Sequence, residues 1–528
     1  MWSRRFIGDQ VKAHSRWAAV LVCVLACASI WTYTVDDAYI AFRYARNVVE
    51  GHGPVFNPGD RVEGFTSPLW LAAATLCEFL RVPTDHACKA ISLAVAAGLF
   101  AYLARRTRGL NPASQLMLLL LATHAPLIAG IVCGLETAVN AVLIACLLLS
   151  GHDPTEGDGR TNSRRKRVHA WLGPAVWGGL AILCRPENGL LVGVHGLYQW
   201  SVRPGQRRML VAVAASWLAV AATLTAARFL YYGSLMPNTA VAKLGVDPGS
   251  LGSAMHYCTH WLDRYQWLPL LGIPALLAKK SRRLAVNGWL LIAAQTGFVF
   301  LAGGDWMPGW RFLLPVSVVL AVLGCHSIDA VVAFGKQFSL HRSGTAEPDN
   351  IAVGSLAQIA CICGVLLIVV TQLWHFRPER WRIDLFDRQL AALETGPVAY
   401  LAARTDRDDL IAARDVGVLS YSTRSRILDL VGLTDRHIAS TSGLRRRGRI
   451  DLDYVFNRRP TYVMLQSERN DNGEMALGRL SRRLAQDDRF GRYRLCRRWE
   501  LPGTHFCEVH ERLSDARLAK TAIIPAQD

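Results

Sequence analysis

The sequence predicts a mainly helical, polytopic membrane protein that ends in a small α/β domain. Three observations support this fold class. The 528 residues are 51% hydrophobic and 19% charged, with a mean hydropathy of +0.20, which is too apolar for an ordinary soluble protein. Apolar runs of about 15–23 residues recur along the chain, and about 20 residues are enough to span a bilayer. After residue 373 the composition becomes polar and rich in arginine and aspartate.

About eleven transmembrane helices are expected in a first domain, residues 1–373. The first apolar run has no small-residue cleavage site, so we interpret it as a retained helix and not as a signal peptide. The expected spans lie near 17–33, 86–104, 113–130, 135–150, 170–184, 188–201, 208–230, 260–278, 285–302, 309–325 and 351–373.

The run Leu69–Leu80 is too short to belong to this set. Thr66 or Ser67 can cap it, and Pro68 suits the first helical position. We therefore expect an interfacial or re-entrant helix on the outer side of the membrane, within a first outer loop that covers residues 34–85.

The basic residues predict the orientation in the membrane. The net charge is +18, but lysine and arginine cluster in alternate gaps between the apolar runs and do not form one patch. This distribution argues against nucleic-acid binding, and by the positive-inside rule the basic gaps face the cytoplasm. The loop 152–167 is one of them. The loop 131–136, the first outer loop and the C-terminus are then expected on the outside.

Residues 374–528 are expected to form an extracytoplasmic α/β domain. The segments DLIAA (409–413), RILDLVG (426–432) and TYVMLQ (461–466) have the pattern of strands, and helical stretches are expected near 383–403 and 473–485. RYRLCRRWE and THFCEVHE predict a hairpin. A two-residue turn at Leu501–Pro502 would place Cys496 opposite Cys507, and an oxidising outer compartment would favour a disulfide between them.

Most of the other cysteines lie in apolar runs, where they behave as small hydrophobic residues. The sequence contains no pair of CxxC motifs at zinc spacing, so a structural zinc site is not expected.

Five polar motifs are predicted to lie at the outer ends of helices. They are DDAYI (36–40), GLET (134–137), RPEN (185–188), PNTAVAK (237–243) and GGDWMPGWRF (303–312). Charged groups beside the membrane core are costly, so those present are usually paired or functional. Carboxylates and cations that converge on one face beside the lipid indicate a cavity for a polar group attached to a lipid.

Each motif also has a purely structural explanation. One aspartate of the acidic pair could cap a helix over 38–50. Glu136 could stabilise a helix N-terminus through the helix dipole. Lys243 could simply be solvated. Ion pairing alone could account for two further sets, Arg185 with Glu187 and Asp305 with Arg311.

With these motifs the sequence resembles the GT-C superfamily, polytopic glycosyltransferases that take a sugar from a polyprenyl-phosphate donor at the outer leaflet. The superfamily has an acidic pair just after the first helix, matched here by Asp36 and Asp37 in DDAYIAFRYARNVVEGHGPVFNPGDRVEGFTSPLW. The segments GLET, LCRPE, YYGSLMPNTAVAK, GGDWMPGWRFLLP and LDLVGLTD (428–435) are similar to the terminal arabinofuranosyltransferase of mycobacteria and its bacterial relatives. The likeness covers most of the membrane part and thins in the C-terminal domain.

The resemblance implies a glycosyltransferase of the bacterial cytoplasmic membrane, with its active site and C-terminal domain on the outside. It would move a sugar, arabinofuranose being one candidate, from a polyprenyl-phosphate donor to a glycan or protein acceptor. A first-loop aspartate would be the general base, and we favour Asp36 over Asp37. Transfer in one step would invert the anomeric carbon.

The other candidate site residues would bind the donor phosphate and the substrates: Arg43, Glu136, Arg185, Glu187, Lys243, Asp305 and Arg311. The sequence does not require a metal cofactor, although the second aspartate could hold a divalent ion. The alternative function is a lipid or glycolipid flippase without transfer activity. A transporter would place polar groups near the bilayer midplane and often shows inverted repeats, and neither feature is found in the sequence.

Overall fold

The structure is a computed structural model that describes residues 17–107, 110–152, 164–243, 248–343, 348–441, 450–469 and 475–513. Helices dominate as far as Leu393, and a six-stranded sheet follows. Most of the predicted cytoplasmic loop 152–167 lies outside the described residues. We call residues 394–513 the sheet domain.

The helices before the sheet domain are listed here in chain order. They are α1 (Trp17–Ala28), α2 (Asp36–Val49), α3 (Pro68–Phe79), α4 (Thr84–Arg106), α5 (Leu116–Ala122), α6 (Ala125–Val132), α7 (Thr137–Ser150), α8 (Arg164–Cys184), α9 (Asn188–Val202), α10 (Arg207–Tyr232), α11 (Asn238–Lys243), α12 (Pro248–Tyr265), α13 (Trp267–Gly272), α14 (Pro274–Leu277), α15 (Arg282–Ala302), α16 (Leu314–Ser343) and α17 (Pro348–Leu393). Short 3-10 turns, Pro112–Gln115 and Pro204–Gln206, precede α5 and α10.

The apolar runs predicted most of these helices, but breaks inside three of the runs were missed. The run 113–130 is bent by 50° between α5 and α6, and Pro126 lies in the first turn of α6. The run 260–278 is divided among α12, α13 and α14, with Pro274 opening the last of them. The run 309–325 becomes helical only at Leu314. Proline fits the first turn of a helix but breaks a helix interior. Hydropathy is uniform across these runs and therefore did not show where one helix ends and the next begins.

Within the described ranges, five helices are long and apolar enough to cross a membrane, or six if the bent pair α5–α6 counts as one span. Shorter apolar helices of 10–17 residues accompany them, α1, α3 and α7 among others. This is the architecture of a polytopic membrane protein. The number of spans, about eleven from the sequence, stays a prediction.

The first outer loop folds into α2 and α3. As predicted, Pro68 opens α3 and the Ser67 hydroxyl oxygen accepts a hydrogen bond from the Trp70 backbone N–H at 3.1 Å. Helix α2 begins at Asp36, and its N-cap is Val35, which makes no side-chain capping bond. Neither aspartate of the acidic pair therefore caps its own helix.

The sheet domain contains a mixed sheet in the order β2-β1-β3-β6-β5, with β4 paired to β3. Strand β1 pairs in parallel with β2 and β3, whereas β3–β6 and β6–β5 are antiparallel. The strands are β1 (Leu410–Ala413), β2 (Arg426–Asp429), β3 (Tyr462–Arg469), β4 (Met475–Leu477), β5 (Tyr493–Glu500) and β6 (Phe506–Arg512). The three strands predicted at 409–413, 426–432 and 461–466 are thus confirmed.

Helices connect and flank these strands. They are the π-helix Glu394–Val398, α18 (Ala399–Ala402), α19 (Gly417–Ser422), α20 (Arg436–Thr441), α21 (Leu452–Asn457), α22 (Arg479–Ala485) and the 3-10 turns Asp488–Arg492 and Pro502–Thr504. Helix α17 runs through the predicted domain boundary at 373 and carries the chain from the apolar helices to the sheet domain.

The predicted hairpin forms, but the predicted disulfide is wrong. Strands β5 and β6 are joined by the longer loop 501–505, which contains a 3-10 turn. The register pairs Cys507 with Trp499, and the pairing is irregular at Cys496. Both cysteines are free thiols. Turn length sets the register of a hairpin, and a longer turn moved the two cysteines out of alignment.

Candidate active site

A cavity of about 1390 Å³ collects the charged motifs of the sequence. Its lining includes residues of the first outer loop, α11, the segments around α7 and α9, and the loop 303–312 that follows α15. Most of the predicted site residues line it: Asp37, Glu136, Arg185, Glu187, Lys243, Asp305 and Arg311. These residues come from distant parts of the chain, so their convergence is a property of the tertiary structure.

Two arginines of the cavity are held by carboxylates. Arg185 donates from Nη1 to Glu136 Oε1 at 2.9 Å and from Nε to Glu187. Arg311 pairs with Asp305 through Nε and Oδ2 at 2.6 Å. Both predicted ion pairs therefore exist, and both lie in the wall of the cavity. The charges are oriented by their partners and still face the space in which a ligand would bind.

Asp37 and Lys243 form a looser pair. Lys243 Nζ lies 3.9 Å from Asp37 Oδ2, and the side chains keep 33% and 20% of their surface exposed, against 11% and 4% for Arg311 and Asp305. Burial lowers the pKa of Lys243, and the Asp37 carboxylate opposes that shift. These two groups are the most accessible charges of the cluster.

Asp36 is turned toward the sheet domain and does not line the cavity. Its carboxylate oxygens accept hydrogen bonds from the backbone N–H groups of Gly417 and Val418, both at 2.8 Å. Burial raises the pKa of Asp36 to about 7, with a further contribution from the neighbouring Asp415. The sequence favoured Asp36 as the base, but of the two aspartates only Asp37 lines the cavity.

Arg43 also lies outside the cavity. Its guanidinium donates to the backbone carbonyls of Thr423, Ser425 and Phe56, and the residue is 5% exposed. Arg43 thus fastens α2 to the segment between α19 and β2. The structure does not bring it to the other predicted site residues.

One side of the cavity is aromatic and was not predicted from the sequence. His256 and His260 on α12 are stacked with ring centroids 5.8 Å apart, and Trp310 lies 5.8 Å from His260. Trp306 and Arg382 also line the cavity. The spacing of the two histidines, one helical turn apart in HYCTH, was the available signal. Both tryptophans are within the GGDWMPGWRF motif, which was noted only for its charges.

The sheet domain contributes directly to the cavity through Leu433. The turn that carries Leu433 is held by Asn238, whose side-chain amide donates to the carbonyls of Gly432 and Leu433 at 2.8 and 3.0 Å. Asn238 is the first residue of α11 and Lys243 is the last. The segment LDLVGLTD of the sheet domain and the segment PNTAVAK of the membrane part are therefore in contact at the cavity.

Within the ranges that the structure describes, no group of three or more His, Cys, Asp or Glu side chains is arranged to hold an ion.

Comparison with known proteins gives two relatives of similar type. The chain is 27% identical over 361 residues to the terminal β-(1→2)-arabinofuranosyltransferase of Corynebacterium glutamicum, covering 60% of this chain and 51% of that protein. It is 28% identical over 386 residues to the enzyme of the same name from Mycobacterium tuberculosis, covering 62% and 57%. The matches thus span somewhat more than half the length of these relatives.

The fold is that of ArnT from Cupriavidus metallidurans. The crystal structure of ArnT bound to undecaprenyl phosphate aligns with a TM-score of 0.57 at 13% identity, covering 93% of this chain and 97% of ArnT. The resemblance to GT-C glycosyltransferases is confirmed. Residues 383–518 also match a domain of unknown function, DUF8728, so the sheet domain is a recognised module whose role is not assigned.

Proposed function

We propose that this chain is a membrane glycosyltransferase that transfers arabinofuranose from a polyprenyl-phosphate donor to an extracytoplasmic glycan, with inversion at the anomeric carbon. The observation that carries the proposal is the meeting of Asp37 with Lys243, Arg185 and Arg311 in one cavity of a chain with the fold of ArnT. The sugar follows the named activity of the two relatives.

Asp37 is proposed as the general base. In a one-step transfer the acceptor hydroxyl attacks the anomeric carbon and must lose its proton, which a carboxylate within hydrogen-bond reach can accept. The requirement is the same as for the base of an inverting glycosidase. Asp37 lines the cavity and keeps 20% of its side-chain surface exposed, whereas both oxygens of Asp36 accept hydrogen bonds from backbone N–H groups.

Lys243 is proposed to bind the donor phosphate, with support from Arg311 and Arg185. The sugar–phosphate bond breaks and negative charge grows on the phosphate, so positioned cations stabilise the transition state. A phosphate is already an acceptable leaving group, and no strong general acid is needed. We propose that Lys243, whose Nζ lies 3.9 Å from Asp37 Oδ2, leaves that carboxylate to bind the donor phosphate. The acceptor hydroxyl then attacks the anomeric carbon from the face opposite the phosphate, as inversion requires.

The cavity is large enough for both substrates. Sites for one drug-sized ligand measure roughly 300–1,000 Å³, and this cavity measures about 1390 Å³. We propose that the acceptor lies on the aromatic side, along His256, His260 and Trp306, and that the donor phosphate lies at the Lys243 side. Flat aromatic surfaces with polar edges suit sugar rings, because each ring offers both C–H faces and hydroxyl groups.

The test uses the full chain, purified and reconstituted in liposomes, with radiolabelled polyprenyl-phosphate-linked arabinofuranose and an arabinan oligosaccharide. We expect labelled sugar in the oligosaccharide and release of polyprenyl phosphate. Donors carrying mannose or glucose test the sugar assignment. Movement of the labelled lipid between leaflets without cleavage would instead establish the flippase.

The outside orientation is proposed from the distribution of basic residues. A cysteine placed at Gly157, in the loop 152–167, is expected to resist a membrane-impermeant thiol reagent in intact cells. Labelling at that position from the outside would reverse the topology and move the active site to the cytoplasm.

A further inference from the structure

The loop 303–312 holds Asp305 and Arg311 in an unusual backbone conformation. Gly303, Gly304 and Gly309 all have positive φ, and Trp310 has φ of 44°. A non-glycine residue in the left-handed region costs free energy and persists only where its surroundings hold it. Since Arg311 follows Trp310 directly, whatever holds this turn also directs the Arg311 side chain.

Three contacts hold the end of the loop, and one of them comes from a charged residue. Tyr257 OH accepts a hydrogen bond from the Phe312 N–H at 3.3 Å, and the Gln295 side chain donates to the Phe312 carbonyl at 2.7 Å. The third contact is Glu379, whose Oε1 accepts from the Gly309 N–H at 2.8 Å. Glu379 is on α17 and is fully buried.

Burial of a carboxylate is strongly unfavourable unless its charge is paired, so a single backbone hydrogen bond would not explain a buried glutamate. Among the described residues Glu379 also pairs with Arg382, whose Nη1 lies 3.5 Å from Glu379 Oε2. Arg382 lines the cavity, whereas Glu379 does not. The carboxylate therefore links two cationic groups of the cavity wall: Arg382 through an ion pair, and Arg311 through the backbone of the turn.

The loop has little freedom to settle elsewhere. A Cβ at Gly309 would lie 2.7 Å from the Ala129 side chain, so the turn is wedged between α6 on one side and Glu379 on the other. Movement away from Glu379 would leave the Gly309 N–H buried without this partner, which is unfavourable.

We propose that Glu379 is a positioning residue for the transfer reaction: through the Gly309 N–H it sets the backbone turn that directs Arg311 toward the donor phosphate. This inference rests on the proposed function for the identity of the ligand. The contact itself does not depend on that function. Glu379 does not touch the substrates and is not a catalytic residue.

The experiment compares Glu379→Gln with Glu379→Met in the full-length protein. The two side chains are similar in length. The glutamine oxygen can still accept the hydrogen bond from the Gly309 N–H, whereas the methionine thioether is only a weak acceptor. Asp384→Asn is the matched control on the same helix, because Asp384 is half exposed and contacts only Arg380, at 3.9 Å, among the described salt bridges.

Two measurements are made on each variant. Hydrogen exchange of the peptide that contains Gly309 reports the contact, and initial rates at varied donor and acceptor concentrations report its consequence. We expect Glu379→Met to expose the Gly309 amide to exchange and to raise the donor KM about tenfold, with the acceptor KM unchanged. Glu379→Gln and Asp384→Asn should remain near the wild type in both measurements.

The outcomes test the Glu379–Gly309 contact and the positioning role of Glu379 separately. Unchanged exchange in a folded Glu379→Met variant would overturn the contact. Faster exchange with an unchanged donor KM, or an equal rise in both KM values, would overturn the positioning role. If Glu379→Met does not fold, a Glu379→Gln variant with a raised donor KM and normal exchange would also overturn it. Absence of transfer in the wild type would refute the proposed function and leave the exchange result to decide the contact.

Discussion

Replacing each aspartate of the acidic pair by asparagine distinguishes the proposed base, Asp37, from Asp36, whose carboxylate binds backbone N–H groups of the sheet domain. Asp37→Asn keeps the shape of the side chain and removes its ability to take a proton. Loss of a general base lowers rates by about a hundredfold to ten-thousandfold, which is about 3–5 kcal/mol in the activation barrier. Asp37 has one loose ionic contact, with Lys243 at 3.9 Å, so little stability should be lost with the charge.

Asp36→Asn should give the opposite pattern. Two backbone N–H groups, of Gly417 and Val418, donate to its two oxygens, and an amide offers only one oxygen. One N–H is then left without a good acceptor, at about 1–3 kcal/mol of stability. The folded variant should retain transfer within about tenfold of the wild type, an expectation that follows from its position outside the cavity.

The assay is the rate of sugar transfer by purified variants at saturating donor, with thermal unfolding measured in parallel. The reasoning would be refuted by wild-type turnover in Asp37→Asn. A hundredfold loss in a well-folded Asp36→Asn variant, with Asp37→Asn less affected, would restore Asp36 as the base and would mean that the acidic pair reorients when substrate binds.

Three further predictions follow from the same contacts. Lys243→Met should lower kcat/KM for the donor by about a hundredfold, and Lys243→Arg should recover part of it; initial rates at varied donor concentration provide the measurement. Gly417→Ala should lower the melting temperature and the transfer rate, because the added Cβ would lie 1.8 Å from the Asp36 carbonyl oxygen. Gly491→Ala is the control and should change neither, because a Cβ at that position has no atom within 4 Å. Because the pKa of Asp36 is raised to about 7, the folded state binds more protons than the unfolded state between roughly pH 4 and 7, and stability falls as pH rises through that window. Asp36→Asn should lack this component, so the wild type should lose its advantage in melting temperature between pH 5 and pH 8, and a constant difference would contradict the assignment.

The agreement between sequence and structure is closest where a property is local. Ser67 and Pro68 predicted the start of α3 because a cap and its helix are adjacent in the chain. The strands β1, β2 and β3 were visible as short apolar runs between polar turns. The polar motifs were recognisable for the same reason: four of the five combine charged residues with glycine or proline within a few residues, and DDAYI is an adjacent acidic pair.

The disagreements arise where a property depends on geometry between segments. The register of the β5–β6 hairpin depends on its loop, and the longer loop 501–505 separated Cys496 from Cys507. Arg43 and Lys243 are both cationic and looked equally suitable as ligand-binding residues in the sequence. In the structure the Arg43 guanidinium donates its hydrogen bonds to backbone carbonyls near β2. On the aromatic side of the cavity, His260 is the first residue of the run 260–278 that hydropathy predicted as a membrane span, and His256 precedes that run on the same helix.

The sequence by itself determined the class of molecule. The chain is too apolar for an ordinary soluble protein, basic segments separate its apolar runs, and the polar motifs lie at the ends of predicted helices. Only the tertiary structure decided the roles within DDAYI. Adjacent residues at the start of a helix point about 100° apart, so Asp36 and Asp37 cannot face the same neighbour. Packing of α2 between the cavity and the sheet domain directs Asp37 toward Lys243 and Asp36 toward Gly417, because burial of a carboxylate is tolerated only where N–H groups receive it.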